Sequence, residues 1–359
     1  MSDSGDVAVA RALTTWFRRH GRVLPWRVRG RSSRRDGYRT LVSELMLQQT
    51  QVSRVLAHYE AFVARFPDVR TLAHAREQSV LAAWSGLGYY RRAKHLHGAA
   101  KMIHHEHQGR VPCDVASLGR LPGVGAYTAG AVASLAFDRP EAIVDGNVSR
   151  VLQRLNGRRE SAADAGAWAW AAADALVRSA CAVGLSPGDL NEALMELGAT
   201  VCTPRGPRCG ACPVRDRCVA RASGSQEDIP LPKPTSPRRR LHCASVVAVD
   251  GRGRVLIEQR GPDGLWADMW QAPTLERLDR PPTRSELAEY VLGRAADAGM
   301  LRRAGGFEHQ TTHRRVRFVV YTARSVPAGD GRVLKSSRAL SAIPISNAQR
   351  KVLAMAGVG

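Results

Sequence analysis

The period of the hydrophobic pattern changes once along this chain, and that change constrains the fold more than any other feature. Up to about residue 221, apolar side chains recur every three or four residues. Val52, Val55, Leu56, Tyr59, Phe62, Val63 and Phe66 form one such stripe, which Pro67 ends. The spacing predicts helices over 38–49, 52–66, 77–85, 89–107, 127–137, 148–155, 165–182 and 189–199, punctuated by Gly86, Gly88, Gly123 and Gly125. Residues 228–240 (DIPLPKPTSPRRR) are rich in proline and charge and read as a linker. Beyond them, 244–249 and 254–259 flank Asp250-Gly251-Arg252-Gly253, a hairpin signal; 315–323 reads as a strand and 284–298 has helical spacing. The expected organisation is a mainly α domain over 1–225, a linker over 226–241 and a smaller α+β domain over 242–359.

Charge narrows the partner. Of 359 residues, 53 are Lys or Arg and 32 are Asp or Glu, a formal net charge of +21. That excess points to a polyanion: nucleic acid leads, ahead of an acidic membrane surface or simple solubility. No apolar run approaches the roughly 20 residues of a membrane span. The first twenty residues lack the apolar centre of a secretory signal, so a cytoplasmic protein is expected. Only five of the basic residues are lysines (Lys94, Lys101, Lys233, Lys335 and Lys351). Arg does not give up its proton to become a nucleophile, so amine chemistry has few candidates.

Four of the seven cysteines, Cys202, Cys209, Cys212 and Cys218, are spaced C-x6-C-x2-C-x5-C. Four thiolates this close suit a tetrahedral zinc or a [4Fe–4S] cube, and ligand type alone leaves both open. A disulfide framework does not suit a long cytoplasmic chain. Cys113, Cys181 and Cys243 are scattered and read as packed or incidental.

Leu121-Pro122-Gly123-Val124-Gly125 opens a helix near Tyr127. Two glycines allow a tight turn, and the helix start presents free N–H groups, a geometry that suits phosphate. An ordinary corner between helices would read the same way. Two carboxylates invite chemistry. Asp145, in Ile143-Val144-Asp145-Gly146-Asn147-Val148, is either a helix N-cap or a reactive anion. Glu44 has Leu41, Val42, Leu45, Met46 and Leu47 as neighbours. It lies either on the polar side of an amphipathic helix or in apolar surroundings that raise its pKa toward neutrality. One protonated and one charged carboxyl group are what glycosidic cleavage requires.

The cysteine run, following Asn191-Glu192-Ala193-Leu194-Met195-Glu196-Leu197-Gly198-Ala199, resembles the cluster loop of the endonuclease III superfamily of DNA glycosylases. LPGVG followed by Tyr127-Thr128-Ala129-Gly130-Ala131 resembles its helix–hairpin–helix. Within that superfamily VSELMLQQTQV (42–52), GLGYY (86–90), VDGNV (144–148) and LPWR (24–27) are similar to MutY-type adenine DNA glycosylases. The resemblance implies one [4Fe–4S] cluster held by the four cysteines, in a loop whose Arg205, Arg208, Arg215 and Arg217 face phosphates or solvent. It implies flipping and excision of adenine opposite 8-oxoguanine or guanine in double-stranded DNA. Glu44 would be the general acid and water activator, and Asp145 would stabilise the oxocarbenium ion, with Tyr127 and Asn147 assisting. Trp26, Arg27 and Glu192 would line the adenine pocket. Gln48, Gln49, Thr50 and Tyr89 would surround the opposite base, and Leu121, Gly123, Val124 and Gly125 would hold DNA. A lyase of the superfamily carries a Schiff-base lysine where this chain has Tyr127, which implies a monofunctional glycosylase. Between Arg27 and Tyr38 a basic insertion is longer than the family norm and reads as a phosphate-touching or solvated loop.

Residues 242–359 resemble the Nudix-like C-terminal domain of the same family. Arg284-Ser285-Glu286-Leu287-Ala288-Glu289-Tyr290 does not supply a hydrolase box of the form REuxEExG, so recognition is expected there instead of catalysis. Thr311, Thr312 and His313 stand where the family reads 8-oxoguanine with Phe-Ser-His, but the aromatic residue is missing. Arg314, Arg315 and Arg317 fit phosphate or an exposed strand face. The competing reading is a non-enzymatic iron–sulfur DNA-binding or redox-responsive regulator on the same scaffold; the presence of both Glu44 and Asp145 favours the enzyme. A monomer is the default.

Overall fold

The computed structural model describes residues 3–27, 35–232, 237–324, 326, 328–329 and 331–358. Most of the basic insertion therefore lies outside the described residues. In chain order the helices of the first part are α1 (Asp3–His20), α2 (Gly37–Leu47), α3 (Val52–Arg65), α4 (Val69–His74), α5 (Glu77–Ala83), α6 (Arg91–Glu106), α7 (Val115–Gly119), α8 (Ala126–Phe137), α9 (Gly146–Asn156), α10 (Gly166–Ala182), α11 (Pro187–Thr200) and α12 (Val219–Ala222). Caps written in the sequence set several starts. Asp36 accepts from the Arg39 N–H at 2.7 Å, Asp114 from Ser117 at 2.8 Å, and Ser186 from Asp189 at 3.1 Å with Pro187 at the first helical position. The predicted helix 38–49 stops at Leu47 and the next residues turn, Gln49 having φ 53°. The one predicted over 89–107 begins at Arg91, because Gly88 and Tyr89 both take positive φ.

α1 packs on α10 and α11, and α11 also packs on α8 and α9. Leu13, Val148, Leu152, Val177, Leu190 and Leu194 share that core. α2 packs on α3 and α8, with Leu41, Val42, Leu45 and Met46 fully buried. Two helices that carry candidate residues, α2 and α11, thus meet on α8, and a third, α9, joins them through α11.

The second part contains β1 (Arg239–Ala248), β2 (Val255–Gln259), β3 (Trp270–Gln271), β4 (Thr274–Arg277), α13 (Arg284–Leu292), β5 (Arg302–Gln310), β6 (Arg314–Ala323), β7 (Arg332–Lys335), α14 (Ser337–Ser341) and α15 (Asn347–Met355). One sheet runs β4-β1-β6-β5, with β1 and β6 parallel; the other runs β3-β2-β7. Along β1, Leu241 and Cys243 join Val352 and Leu353 of α15 on one side, while Ala244 and Val246 join Leu287 and Val291 of α13 on the other. The turn predicted at 250–253 exists, but β1 and β2 separate after a single bridge at Val249–Val255 and enter different sheets. The helix predicted over 284–298 ends at Leu292, where Gly293 takes φ 78°, and a 3₁₀ turn follows.

The division into units departs from the single boundary expected. One compact unit comprises 1–74 with 95–234, the other 75–94 with 235–359. The reason is side-chain chemistry on the inserted segment. Ser85 Oγ donates to the Ile345 carbonyl at 3.1 Å, Arg350 donates to Ser85 Oγ at 3.1 Å, and Lys94 pairs with Asp268. The expected linker also starts later than 226. Ile229 is buried, its carbonyl accepts from Arg154 Nε at 2.8 Å, and Leu231 donates its N–H to the Glu160 carbonyl at 3.1 Å.

Candidate active site

A cavity of about 480 Å³ in the helical unit is lined by Glu44, Gln48, Gln49, Thr50, Tyr127, Asp145 and Asn147, with Trp26, Arg27 and Glu192 also in its wall. Residues spread over 167 positions of sequence therefore converge on one space. Glu44 comes from the middle of α2, whose face from Thr40 to Met46 is buried throughout, so the amphipathic alternative is set aside. Glu44 is only 5% exposed. Burial pushes its pKa up from 4.5 to about 7, and the nearby Asp145 acts in the same direction; a hydrogen bond with Tyr127 and the charges of Arg35 and Arg27 oppose the rise.

Asp145 serves two purposes. It is the N-cap of α9, accepting from the Val148 N–H at 2.7 Å through Oδ1, and its Oδ2 accepts from Asn147 Nδ2 at 2.9 Å. Asn147 in turn accepts from Arg150 at 2.9 Å. Gly198 of α11 allows this contact, since a Cβ there would lie 2.6 Å from Asn147 Cβ. The Tyr127 hydroxyl lies between the Glu44 carboxyl group and Met195 Sδ, 3.2 Å away, and burial first, then the two carboxylates, push its pKa well above 10.

The far wall is an ion network. Arg27 donates to Glu192 at 2.8 Å and to Glu196 at 2.9 Å; Arg22 donates to Glu196 at 2.7 Å; Arg35 pairs with the other Glu192 oxygen. Arg22, Arg35 and Glu196 escaped the sequence reading. The one available signal was the i,i+4 spacing of Glu192 and Glu196 on α11. Arg35, in the stretch read as a phosphate-touching or solvated loop, lines the cavity instead. Trp26 packs edge-on against Tyr59, 5.3 Å between ring centres.

Other candidates lie elsewhere. In the hairpin between α7 and α8, Leu121 and Val124 are buried, while Pro122 and Gly125 are exposed. Gly123 has φ 76°, and a Cβ there would sit 2.5 Å from that of His95. In the second unit, Thr311, Thr312 and His313 form the turn between β5 and β6, and the Tyr89 hydroxyl hydrogen-bonds to Thr312 Oγ1.

The cysteine loop 202–218 encloses a compatible donor set. The Cys212 thiol is pushed up to about 11 by burial and by the neighbouring thiols of Cys202, Cys218 and Cys209. Arg154, buried, donates to the Thr203 carbonyl at 2.8 Å and to Cys202 Sγ at 3.4 Å. Among the described residues no three His, Cys, Asp or Glu side chains are gathered for a single metal ion. Four mutually interacting thiols fit a cluster of several irons.

Residues 42–167 match the model of the HhH-GPD superfamily base excision DNA repair proteins, and 244–355 match that of the NUDIX domain. A solved thermostable thymine-DNA glycosylase covers 62% of this chain and 100% of its own at 27% identity, TM-score 0.53. The helical fold is thus that of a base-excision repair glycosylase, joined to a Nudix domain. Human adenine DNA glycosylase is 34% identical over 89% of this chain and 67% of its own; that of Mycobacterium tuberculosis H37Rv is 43% identical over 68% and 76%. The rat enzyme is 44% identical, but the match spans only 43% of its length. The chain belongs to the adenine DNA glycosylases, hydrolases acting on N-glycosyl bonds in base-excision repair.

Proposed function

We propose that this chain flips adenine out of duplex DNA where it stands opposite 8-oxoguanine or guanine, and hydrolyses its N-glycosidic bond. The observation that carries the reading is the shared cavity of Glu44 and Asp145, with Glu44 protonated near neutrality. Glu44 donates its proton to N7 of the base, so the pair of electrons in the breaking bond leaves with neutral adenine. Asp145, anchored by Asn147 and the α9 N-terminus, stabilises the positive charge that develops on the deoxyribose. The Glu44 carboxylate then takes a proton from the water that attacks C1′, leaving an abasic site. Tyr127 holds Glu44 in place and, as a phenol, forms no Schiff base, so the strand stays intact. Glu192, held by Arg27 and Arg35, presents a fixed acceptor toward the adenine amino group.

Cys202, Cys209, Cys212 and Cys218 would hold one [4Fe–4S] cluster whose contribution is structural. The Thr311–His313 turn, with Tyr89 bonded to Thr312, is the proposed reader of the opposite 8-oxoguanine. Single-turnover assays on duplexes with A opposite 8-oxoguanine, A opposite G and C opposite G test the reading. Adenine release from the first two, with no strand cleavage and no release from the third, is expected; release from none sinks it.

A further inference from the structure

The strands around the β5–β6 turn bear a concentration of like charge that the fold itself neutralises only in part. β1 and β6 are parallel and in register, with Arg239 opposite Arg314, Arg240 opposite Arg315 and His242 opposite Arg317. On β4, Arg277 is opposite His242. By the two-residue period of a strand, Arg240, His242, Arg315 and Arg317 share one face, while Leu241, Val316 and Phe318 enter the core on the other. Arg240, Arg277, Arg315 and Arg317 are exposed, and Arg238 continues the row, donating to Gln310 at 2.8 Å. The counter-charges beside the row are few and loose: Glu308, opposite Arg317 on β5, lies 3.8 Å from Arg315, and Glu286 lies 3.8 Å from Arg277. Like charges directly opposite across strands oppose sheet formation. A sheet that keeps them on successive rungs, beside one turn, is arranged for an external anion.

We infer that this arginine face grips the phosphate backbone of duplex DNA beside the Thr311–His313 turn. The occupant follows from the charge: a row of guanidinium groups spaced along neighbouring strands matches phosphates repeating along a helix and offers bidentate donors to each. Such contacts fix position without reading sequence. The inference rests on DNA being the substrate, and it adds a second, sequence-independent hold within the Nudix-like unit.

The test uses the full chain with Arg240→Gln, Arg315→Gln and Arg317→Gln combined. As a control, Arg11→Gln, Arg178→Gln and Arg338→Gln lower the net charge equally at exposed positions elsewhere. Dissociation constants are measured across a salt series on an A opposite 8-oxoguanine duplex and on an undamaged duplex. Losing three phosphate contacts should flatten the slope of log affinity against log salt by about 2 to 3 for both duplexes, with the control unchanged. The triple variant should melt close to the native chain, since the repulsion it sheds offsets the loose, exposed contact of Arg315 with Glu308 that it gives up. Unchanged affinity and slope, a loss confined to the lesion duplex, or an equal loss in the control overturns the inference. Adenine release by the native chain, assayed on the same duplex, reports separately on the glycosylase reading.

Discussion

Burying Glu44 links activity to stability at a single residue. The folded chain holds its proton up to about pH 7, whereas an ordinary Glu releases it near 4.5. Between those values the folded state binds the proton more tightly than the unfolded one, so stability falls as pH rises through that window. The loss is on the order of 3 kcal/mol and is complete above pH 7. Glu44→Gln removes it. The variant should bind lesion duplex, release no adenine, and resist denaturant better than the native chain at pH 8, with the gain vanishing near pH 4.5. Equal denaturation midpoints at pH 8 would mean that the carboxyl group is not strained. Arg35 favours the charged form of Glu44, so Arg35→Gln should carry the alkaline limb of the single-turnover pH profile to higher pH; a profile that only drops in height would assign Arg35 a packing role. Glu44 was legible because its immediate neighbours are apolar. The Arg22–Glu196 pair was not, since its members are 174 positions apart and nothing local announces the other.

At the scale of the element, the start of α9 shows how one residue can satisfy both readings offered for it. Asp145 caps the helix and lines the cavity, so substitutions separate the roles. Asparagine is as good a cap, and Asp145→Asn should melt close to the native chain while losing adenine release. Asp145→Ala loses the cap as well, costing about 1 kcal/mol more; equal melting of the two variants would deny the capping role. In the hairpin, Gly123→Ala meets both a positive φ and the His95 side chain, and should destabilise by roughly 1–3 kcal/mol, measured by thermal or chemical unfolding. The helices were readable because each buries one stripe at a period that survives without tertiary context. The strands were less so. β5 is half exposed and contains Gly305 and Gly306, and β3 is two residues long; each is defined by its partner strand, which composition does not reveal.

For the molecule as a whole, the sequence announced two architectures through its change of period, but not that residues 75–94 would group with the second. That grouping depends on single side chains such as Ser85 and Lys94, whose partners lie far along the chain. Arg154 shows the same principle within the helical unit. From α9 its guanidinium reaches the Thr203 and Pro204 carbonyls, Cys202 Sγ and the Ile229 carbonyl, joining the start of the cysteine loop and the segment that follows it to the core. Hydrogen bonds from a charged donor are each worth about 1.5–3 kcal/mol, and the buried Ile229 carbonyl would be left without this partner. Arg154→Met fills similar volume without those donors. If four thiols in this loop hold one [4Fe–4S] cluster, the native chain should carry four irons and four acid-labile sulfides, and the variant distinctly fewer after gel filtration. Limited proteolysis of the variant should then cut first within 202–232, because loop and following segment are released together. Full iron content with an unchanged cleavage pattern would show that the loop stands without this arginine.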